Sequence, residues 1–473
     1  MTDLASELRD IERKLFEIPD EKVAQLTLLI ERSRAIVLSA AVANAALGTL
    51  RPRLVKTRPP RYLTLQRVFC HPFEDLLVMG DDGVKPFGRI ARSSLAPCWE
   101  FVLSSLDAAA VKQLEASLRA APAPDIGSSS DPRIPRLGAT LWKVAAQRLR
   151  EELNKAAADP GQHAALVEKL GGENVLGDLT DMTCLLELAP ETEKLREAMS
   201  PKPVGRLLDE QVEEIKQIYS DVATTGKGMP GCLIAITVAR LTDGFQALPI
   251  FDSLAELPTG IEGMKPGQYV RAMLSGDSKR FFGAVTRTDP SKVDDAKVAD
   301  MVGDFVSLIG RLKKDGMAEG PQPEMDAASR QLKDMVRIGV LGGIDEKVLG
   351  GIDAVLSLPP AEDSEDAKKA VFDAKLEAEN RVYALQRVAR VATEIGADKD
   401  VNGAIKQLTS QIDGTGNTLL ADIKAGKLNA EGPEAARTKL FAAVRMLELV
   451  AGSQYANKLM KDGMAAIARM PQA

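Results

Sequence analysis

The sequence is poor in the side chains that most often carry chemistry. Among its 473 residues are two histidines, four cysteines and 4% aromatic residues. His71 and His163 lie far apart and neither follows a glutamate by three residues, so no HExxH zinc helix or di-iron helix can form. GxSxG, GxGxxG and GxxxxGK[ST] are also absent. We therefore expect no metal ion and no cofactor, and an enzyme is disfavoured without being excluded.

The cysteines indicate a reducing compartment. Cys70, Cys98, Cys184 and Cys232 are widely spaced and include no CxxC pair. In a chain of this size such thiols are typical of small buried side chains, and a disulfide framework is not expected. The first ten residues contain three acids and no cationic stretch before an apolar core, which is unlike a secretory signal. The expected location is the cytoplasm.

Long hydrophobic runs are missing too. The best membrane candidate is the uncharged run at residues 35–50, which is rich in alanine. A membrane span needs about 20 strongly apolar residues, so this run predicts a buried core helix or a dimer helix. We expect no membrane span, and a homo-oligomer stays open.

Asp-Asp pairs occur twice, without the spacing of a magnesium site. Asp81 and Asp82 precede Gly-Val-Lys, and the next acid after Asp294 and Asp295 is Asp300. Neither pattern places three carboxylates on one helix face. Both pairs are interpreted as loop or helix-start acids.

Helix formers dominate the composition. Hydrophobic residues make up 45% and charged residues 27%, and long stretches of Ala, Leu, Glu, Lys and Arg lack the alternation of strands. These observations predict a globular, soluble, all-α protein, either a multi-unit helical bundle or an irregular helical solenoid. The predicted helices cover residues 137–158, 162–170, 174–188, 204–222, 291–312, 325–340, 365–395 and 433–461.

The length predicts about three structural units at roughly 150 residues each. A Pro/Ser-rich stretch suggests a linker at residues 122–136. The predicted division is an N-terminal unit at 1–121, a central domain at 137–315 and a C-terminal domain at 325–473.

A short repeat follows residue 339. The sequence VLGGIDEK is followed directly by VLGGIDAV, and no longer period extends it. We interpret it as two helix-terminating turns, with a glycine-rich binding loop as the alternative. The helix predicted at 365–395 carries a seam of small and aliphatic residues at spacings of three and four, which permits close packing.

The strongest local bias is a basic segment at residues 51–70. It has six cations and no acid, and its three prolines predict that its first half is not a regular helix. Guanidinium groups interleaved with aromatic rings can bind phosphates or an acidic partner, although such a segment can equally balance acids of its own chain. The candidate binding residues are Arg51, Arg53, Lys56, Arg58, Arg61, Tyr62, Arg67, Phe69 and Phe73.

A second candidate is the glycine-rich stretch at residues 224–232. Gly226, Lys227 and Gly228 precede an apolar helix, where backbone N–H groups could hold an anion. No strand precedes it, and the order of residues differs from a phosphate loop. The alternative is a turn between two helices.

These patterns favour a non-catalytic cytoplasmic scaffold or regulatory protein that docks an acidic protein partner through the basic segment. A nucleic-acid-associated protein using the same segment is the alternative, disfavoured because the net charge is −6. A further alternative is an enzyme whose site combines scattered carboxylates with Lys227.

Overall fold

The computed structural model describes residues 64–79, 85, 87–120, 133–226, 228–357 and 365–471, together with isolated positions between 14 and 53. The chain divides into two compact units, Met1–Met273 and Leu274–Ala473. Each unit buries its own set of aliphatic and aromatic side chains.

The described part of the first unit is mostly helical. Its helices are α1 Leu65–Cys70, α2 Leu95–Ser105, α3 Ala108–Ala120, α4 Arg133–Ala158, α5 Pro160–Leu170, α6 Glu173–Glu187, α7 Ala189–Ala198, α8 Asp209–Thr225, α9 Gly231–Arg240, α10 Ala247–Asp252 and the first residues of α11 Pro266–Arg287. Short 3₁₀ turns lie at His71–Leu76, Arg92–Ser94 and Gly244–Gln246. The sheet in the described part is one parallel pair, β1 Leu77–Val78 with β2 Ile90–Ala91, in which Leu77 faces Ile90.

The described part of the second unit contains the rest of α11 and seven further helices. They are α12 Asp295–Lys314, α13 Gln322–Met335, α14 Ile344–Leu356, α15 Glu365–Ala389, α16 Asp398–Lys424, α17 Gly432–Ala451 and α18 Ser453–Ile467. A π-helical turn at Val336–Val340 and 3₁₀ turns at Pro290–Lys292 and Ala392–Ile395 connect some of them. The predicted all-α fold is confirmed.

Helix ends follow from side chains visible in the sequence. The Asp159 carboxylate accepts a hydrogen bond from Gly161 N at 2.8 Å, and Pro160 occupies the first turn of α5. Asp294 caps α12 by accepting from Lys297 N at 2.7 Å, so it is a helix-start acid as predicted. Gly171 ends α5 in the left-handed region, where its φ is 90°.

Helix α9 forms the centre of the first unit. Its sequence is apolar all round, and nearly all of its residues are buried. Segments before and after residues 122–136 contribute to the same core, because Trp142 of α4 donates to the Val68 carbonyl at 2.8 Å. The predicted boundaries at 122–136 and 315–325 therefore differ from the division near residue 273. Most of the predicted linker lies outside the described residues.

The interpretation of the repeat needs correction. Gly343 has a φ of 63° and precedes α14, as expected of a helix-terminating turn. Gly350 and Gly351 of the second copy lie inside α14. The physical reason is close packing, since a Cβ atom at Gly351 would lie 2.5 Å from Ala378 Cβ and 3.0 Å from the Ala374 carbonyl oxygen of α15. The seam predicted on α15 is thus used within the second unit.

Several other predicted helices have different limits. The helix predicted at 365–395 ends at Ala389, and the one at 433–461 divides at Gly452, whose φ is 90°. The helix predicted at 204–222 begins at Asp209.

The neighbouring glycines give a matched pair of variants. Gly351→Ala should destabilise the second unit by about 1 to 3 kcal/mol because the new methyl group overpacks the contact with α15. Gly350→Ala, where a Cβ meets nothing within 4 Å, should stabilise it by about 0.5 to 1 kcal/mol because alanine favours the helix. Hydrogen-exchange mass spectrometry of peptides from α14 and α15 measures both effects. Equal effects of the two substitutions would contradict the packing explanation.

Candidate functional site

Most of the basic segment lies outside the described residues. This applies to Arg51, Lys56, Arg58, Arg61 and Tyr62. Their predicted role in binding stays a prediction.

Arg53 and Arg67 are described and differ from each other. Arg53 is helical, contrary to the expectation from Pro52, and its guanidinium donates to the carbonyl oxygens of Leu15, at 2.6 Å, and Ile18. Arg67 lies in the last turn of α1 with its side chain exposed. The Arg67 side chain therefore faces solvent near the end of the basic segment, whereas the Arg53 guanidinium is bound to backbone carbonyl oxygens.

Phe69 and Phe73 do not lie on the surface. Both are fully buried, and their ring centroids are 5.3 Å apart, with Trp99 5.2 Å from Phe69. Leu65, Phe69 and Phe73 recur every four residues, which turns one face of this stretch toward the core. The expectation that these two rings touch a partner is corrected: they anchor the basic segment to the first unit.

The glycine-rich stretch forms a turn between α8 and α9. Gly226 and Gly228 have φ values of 65° and 60°, and Lys227 lies outside the described residues. At the start of α9, Gly231 N donates to the Thr259 carbonyl at 2.8 Å, and the next two N–H groups also have backbone acceptors. An anion here would have to displace these bonds, which favours the alternative of an inter-helix turn.

A groove of about 910 Å³ runs along α4 and the junction of α6 and α7. Its apolar lining includes Ala139, Trp142, Ala146, Leu186, Ala189 and Pro190.

Trp142 is held firmly in the groove. Its indole N–H donates to the Val68 carbonyl, and its ring stacks on His71 with centroids 6.1 Å apart and planes at 9°. Gly138 makes room for it, because a Cβ atom there would clash with the indole ring. Val68, the residue after Arg67, thus contacts Trp142 of the groove through its backbone carbonyl.

Most of the charged side chains that line the groove are paired within the chain. Arg150 forms a bidentate pair with Glu187, both N–O distances being 2.8 Å, and this contact raises the pKa of Arg150. Glu193 accepts from His71 Nε2, 3.0 Å away, and from Arg196, 2.9 Å away. Burial opposes ionisation of Glu193, but these two partners outweigh it and lower its pKa.

Helix α6 presents a polar face that sequence reasoning missed. Asp178, Asp181, Cys184 and Glu187 follow one another at a spacing of three, in DLTDMTCLLE. This spacing places them on one slowly winding face of a helix. The spacing of three indicates the shared helix face from the sequence alone. The partners of these residues, however, come from distant parts of the chain.

Asp178 is the most buried acid of this face, with 1% of its surface exposed. It accepts from Ser94 Oγ at 2.6 Å and from Ala91 N at 3.1 Å, and Lys85 Nζ lies 3.4 Å from its other oxygen. Lys85 also pairs with Asp181, whose pKa is raised chiefly by burial. This cluster ties α6 to the segment around β2.

Cys184 contacts the side chain of Arg150. The guanidinium Nη2 of Arg150 donates to Cys184 Sγ at 3.5 Å. All four cysteines are free thiols.

A second buried cluster centres on Asp75, in the 3₁₀ turn after α1. Arg196, Arg240 and Lys202 place nitrogen atoms 3.0, 3.1 and 2.7 Å from its carboxylate. Burial alone would raise the pKa of Asp75, but the three cations outweigh it and lower the pKa to about 2. This cluster ties the 3₁₀ turn to α7 and α9.

Two classes of site are not found in the described residues. No group of three or more His, Cys, Asp or Glu side chains there is arranged to hold a metal ion. No helix of the described part combines the length and apolar character needed to cross a bilayer.

The site assembled by α1, α4, α6 and α7 is thus an apolar groove beside an exposed arginine, backed by paired buried charges. No protein-family model, no curated protein and no solved structure matches the chain.

Proposed function

We propose that this chain is a non-catalytic scaffold or regulatory protein of the cytoplasm that docks an acidic partner protein. The observation that carries the proposal is the position of the groove, whose Trp142 donates to the backbone of Val68, directly after the exposed Arg67. The backbone that directly follows Arg67, the last cation of the basic segment, therefore contacts Trp142 of the groove.

The occupant that fits this combination is an acidic amphipathic helix. Its apolar face would contact Ala139 and Pro190, the exposed apolar residues of the groove lining. Its acids would face the basic segment, which holds six cations and no acid at residues 51–70. The net charge of −6 makes this segment a local exception on the chain, which favours recognition of a protein helix over a polyanion.

The paired charges support a binding role. The bidentate pair of Arg150 and Glu187 and the contacts of Glu193 with His71 and Arg196 hold the groove walls in place. These groups stabilise one another, so the groove presents mainly apolar contacts to an occupant.

The test uses the full chain and a labelled acidic helical peptide with leucines at i, i+3, i+4 and i+7. A peptide of the same composition without an apolar face is the control ligand. Arg51, Arg58, Arg61 and Arg67 are changed together to glutamate, and Arg53 is kept because it donates to carbonyl groups of the chain. We expect at least about tenfold weaker binding, since like charges at an interface cost several kcal/mol. Fluorescence anisotropy at physiological salt measures it.

Two control variants separate this effect from a general change of charge or fold. A chain with glutamates at the exposed residues Lys112, Arg148, Lys155 and Arg206 should bind normally.

Ala139→Glu places a charge in the groove, whereas Thr140→Glu places it on the adjacent exposed position outside the groove lining. Only Ala139→Glu should weaken binding. Equal binding of both peptides, or tighter and steeply salt-dependent binding of single-stranded DNA, would refute the proposal.

A further inference from the structure

The outward face of α15 carries large apolar side chains that none of the roles above uses. Phe372, Leu376 and Tyr383 are exposed, and their spacings of four and seven place them on one stripe of the helix. A single exposed apolar residue is common on a protein surface, whereas several together mark an interaction surface. The stripe is therefore a candidate contact for another chain.

Helix α17 widens the stripe into a patch. Arg445 Nη2 donates to Tyr383 Oη at 2.9 Å, and Gln386 Nε2 donates to the Val450 carbonyl oxygen at 2.8 Å. The residue numbers rise together in these two contacts, so α15 and α17 run in the same direction. Phe441 is exposed and lies one turn before Arg445, on the side of α17 that adjoins α15. We call these four exposed side chains the apolar patch: Phe372, Leu376, Tyr383 and Phe441.

Charges of opposite sign lie at the two ends of the stripe. Two exposed acids, Asp373 and Glu377, flank its N-terminal half. Two exposed arginines continue its C-terminal half, Arg387 in the last turn of α15 and Arg390 directly after the helix. The exposed Lys369 lies one turn before the acids. The stripe thus changes from acidic to basic along its length, with apolar residues between.

An antiparallel second copy of α15 is complementary to this arrangement. A two-fold axis close to the exposed Asn380, midway along the stripe, would bring Leu376 of each copy next to Tyr383 of the other. The same rotation places the acidic half of each stripe opposite the basic half of the other, twice in one interface. A parallel second copy would instead set like charges against each other.

We propose that this chain forms a homodimer through the apolar patch, with the two α15 helices antiparallel. The apolar side chains form the centre of the interface and the charges form its rim, which is the usual distribution in protein interfaces. Within one chain Glu377 contacts Arg381, and Arg387 contacts Asp300. In the described part of the chain Asp373 and Arg390 have no such ion pair, so both charges are available to the second copy.

The proposal concerns residues of the second unit alone and does not depend on the partner helix proposed for the groove. It requires that the patch be covered in solution by an identical patch. The oligomeric state of the full chain therefore tests it directly.

The experiment is sedimentation velocity of the full chain, which should be a dimer at micromolar concentration. Asp373→Arg combined with Glu377→Arg should weaken the dimer at least about tenfold, because arginines then face arginines. Arg387→Glu combined with Arg390→Glu should weaken it to a similar extent, because acids then face acids. An equal mixture of the two variants should dimerise again, since each offers the charge that the other lacks.

A matched pair tests the apolar contact. Phe372→Glu should weaken the dimer at least about tenfold, because it places a charge in the centre of the interface. Ile338→Glu should leave it unchanged, since Ile338 is equally exposed, at 54%, but lies in the π-helical turn outside the patch. Glu319→Arg combined with Asp413→Arg, at exposed acids elsewhere in the second unit, is the control for charge reversal.

Three results would overturn the proposal. The first is a wild-type chain that sediments as a monomer at these concentrations, whatever other protein binds to it. The second is a mixture of the two charge-reversed variants that stays monomeric while circular dichroism shows both to be folded. The third is an equal effect of Phe372→Glu and Ile338→Glu. The wild-type measurement keeps the test valid even where a variant folds poorly.

Discussion

Asp178→Ala should lower the free energy of unfolding of the first unit by about 3 to 5 kcal/mol. The substitution removes the acceptor of Ser94 Oγ and Ala91 N, and it leaves Lys85 with Asp181 as its remaining carboxylate in this cluster. A buried donor that loses its acceptor lowers the free energy of unfolding more than the loss of an exposed hydrogen bond does. Removal of one member of a buried ionic cluster lowers it by about 3 to 5 kcal/mol.

The two tryptophans of the chain make this measurement selective. Trp99 and Trp142 both belong to the first unit, so their fluorescence during urea unfolding reports on that unit. The control is Asp221→Ala, an exposed acid of α8, which should change stability by less than about 0.5 kcal/mol. Similar values for both variants would mean that the Asp178 contacts are not the source of stability.

Asp75→Ala should have an effect of the same order, about 3 to 5 kcal/mol at neutral pH. Its removal leaves the guanidinium groups of Arg196 and Arg240, each about one tenth exposed, without their shared carboxylate. Tryptophan fluorescence in urea again measures the change. Asp209→Ala, at an exposed acid in the first turn of α8, is the control.

Acid should narrow the difference between wild type and Asp75→Ala. The pKa of Asp75 is lowered from 3.8 to about 2 in the folded chain. Its contribution is therefore complete above pH 3.8 and is lost as the pH falls toward 2. The difference should shrink by about 2 kcal/mol between about pH 5 and about pH 2. A difference that stays constant over this range would show that the carboxylate is not stabilised by its cations.

The sequence predicted the helical fold because helices are determined by local features, namely the period of apolar residues and the residues at helix ends. Periodic apolar residues defined α4, α5, α6 and α12, and Asp294 marked the start of α12. The sequence did not predict that Gly351 lies within a helix, because its role depends on contact with α15. Helix α16 was not among the predicted segments, although its residues form 27 positions of continuous helix.

The candidate site was predictable only in part. The basic composition of residues 51–70 predicted a binding role for Phe69 and Phe73. Their spacing of four residues instead indicates a helix face that packs into the core, where both rings are buried. The acids of α6 lie at regular spacing, but their partners are remote: Lys85 precedes Asp181 by 96 residues. Such pairs are set by tertiary packing and leave no trace in local sequence.

The Asp75 cluster has a consequence for how the chain acquires its structure during synthesis. Arg196, Lys202 and Arg240 follow Asp75 by 121, 127 and 165 residues. A nascent chain therefore carries an aspartate destined for burial long before its cations have been translated. Contacts of such long sequence separation form late, because the intervening loop must first be closed. Until Arg240 leaves the ribosome, the N-terminal portion of the first unit should remain open to chaperones and proteases.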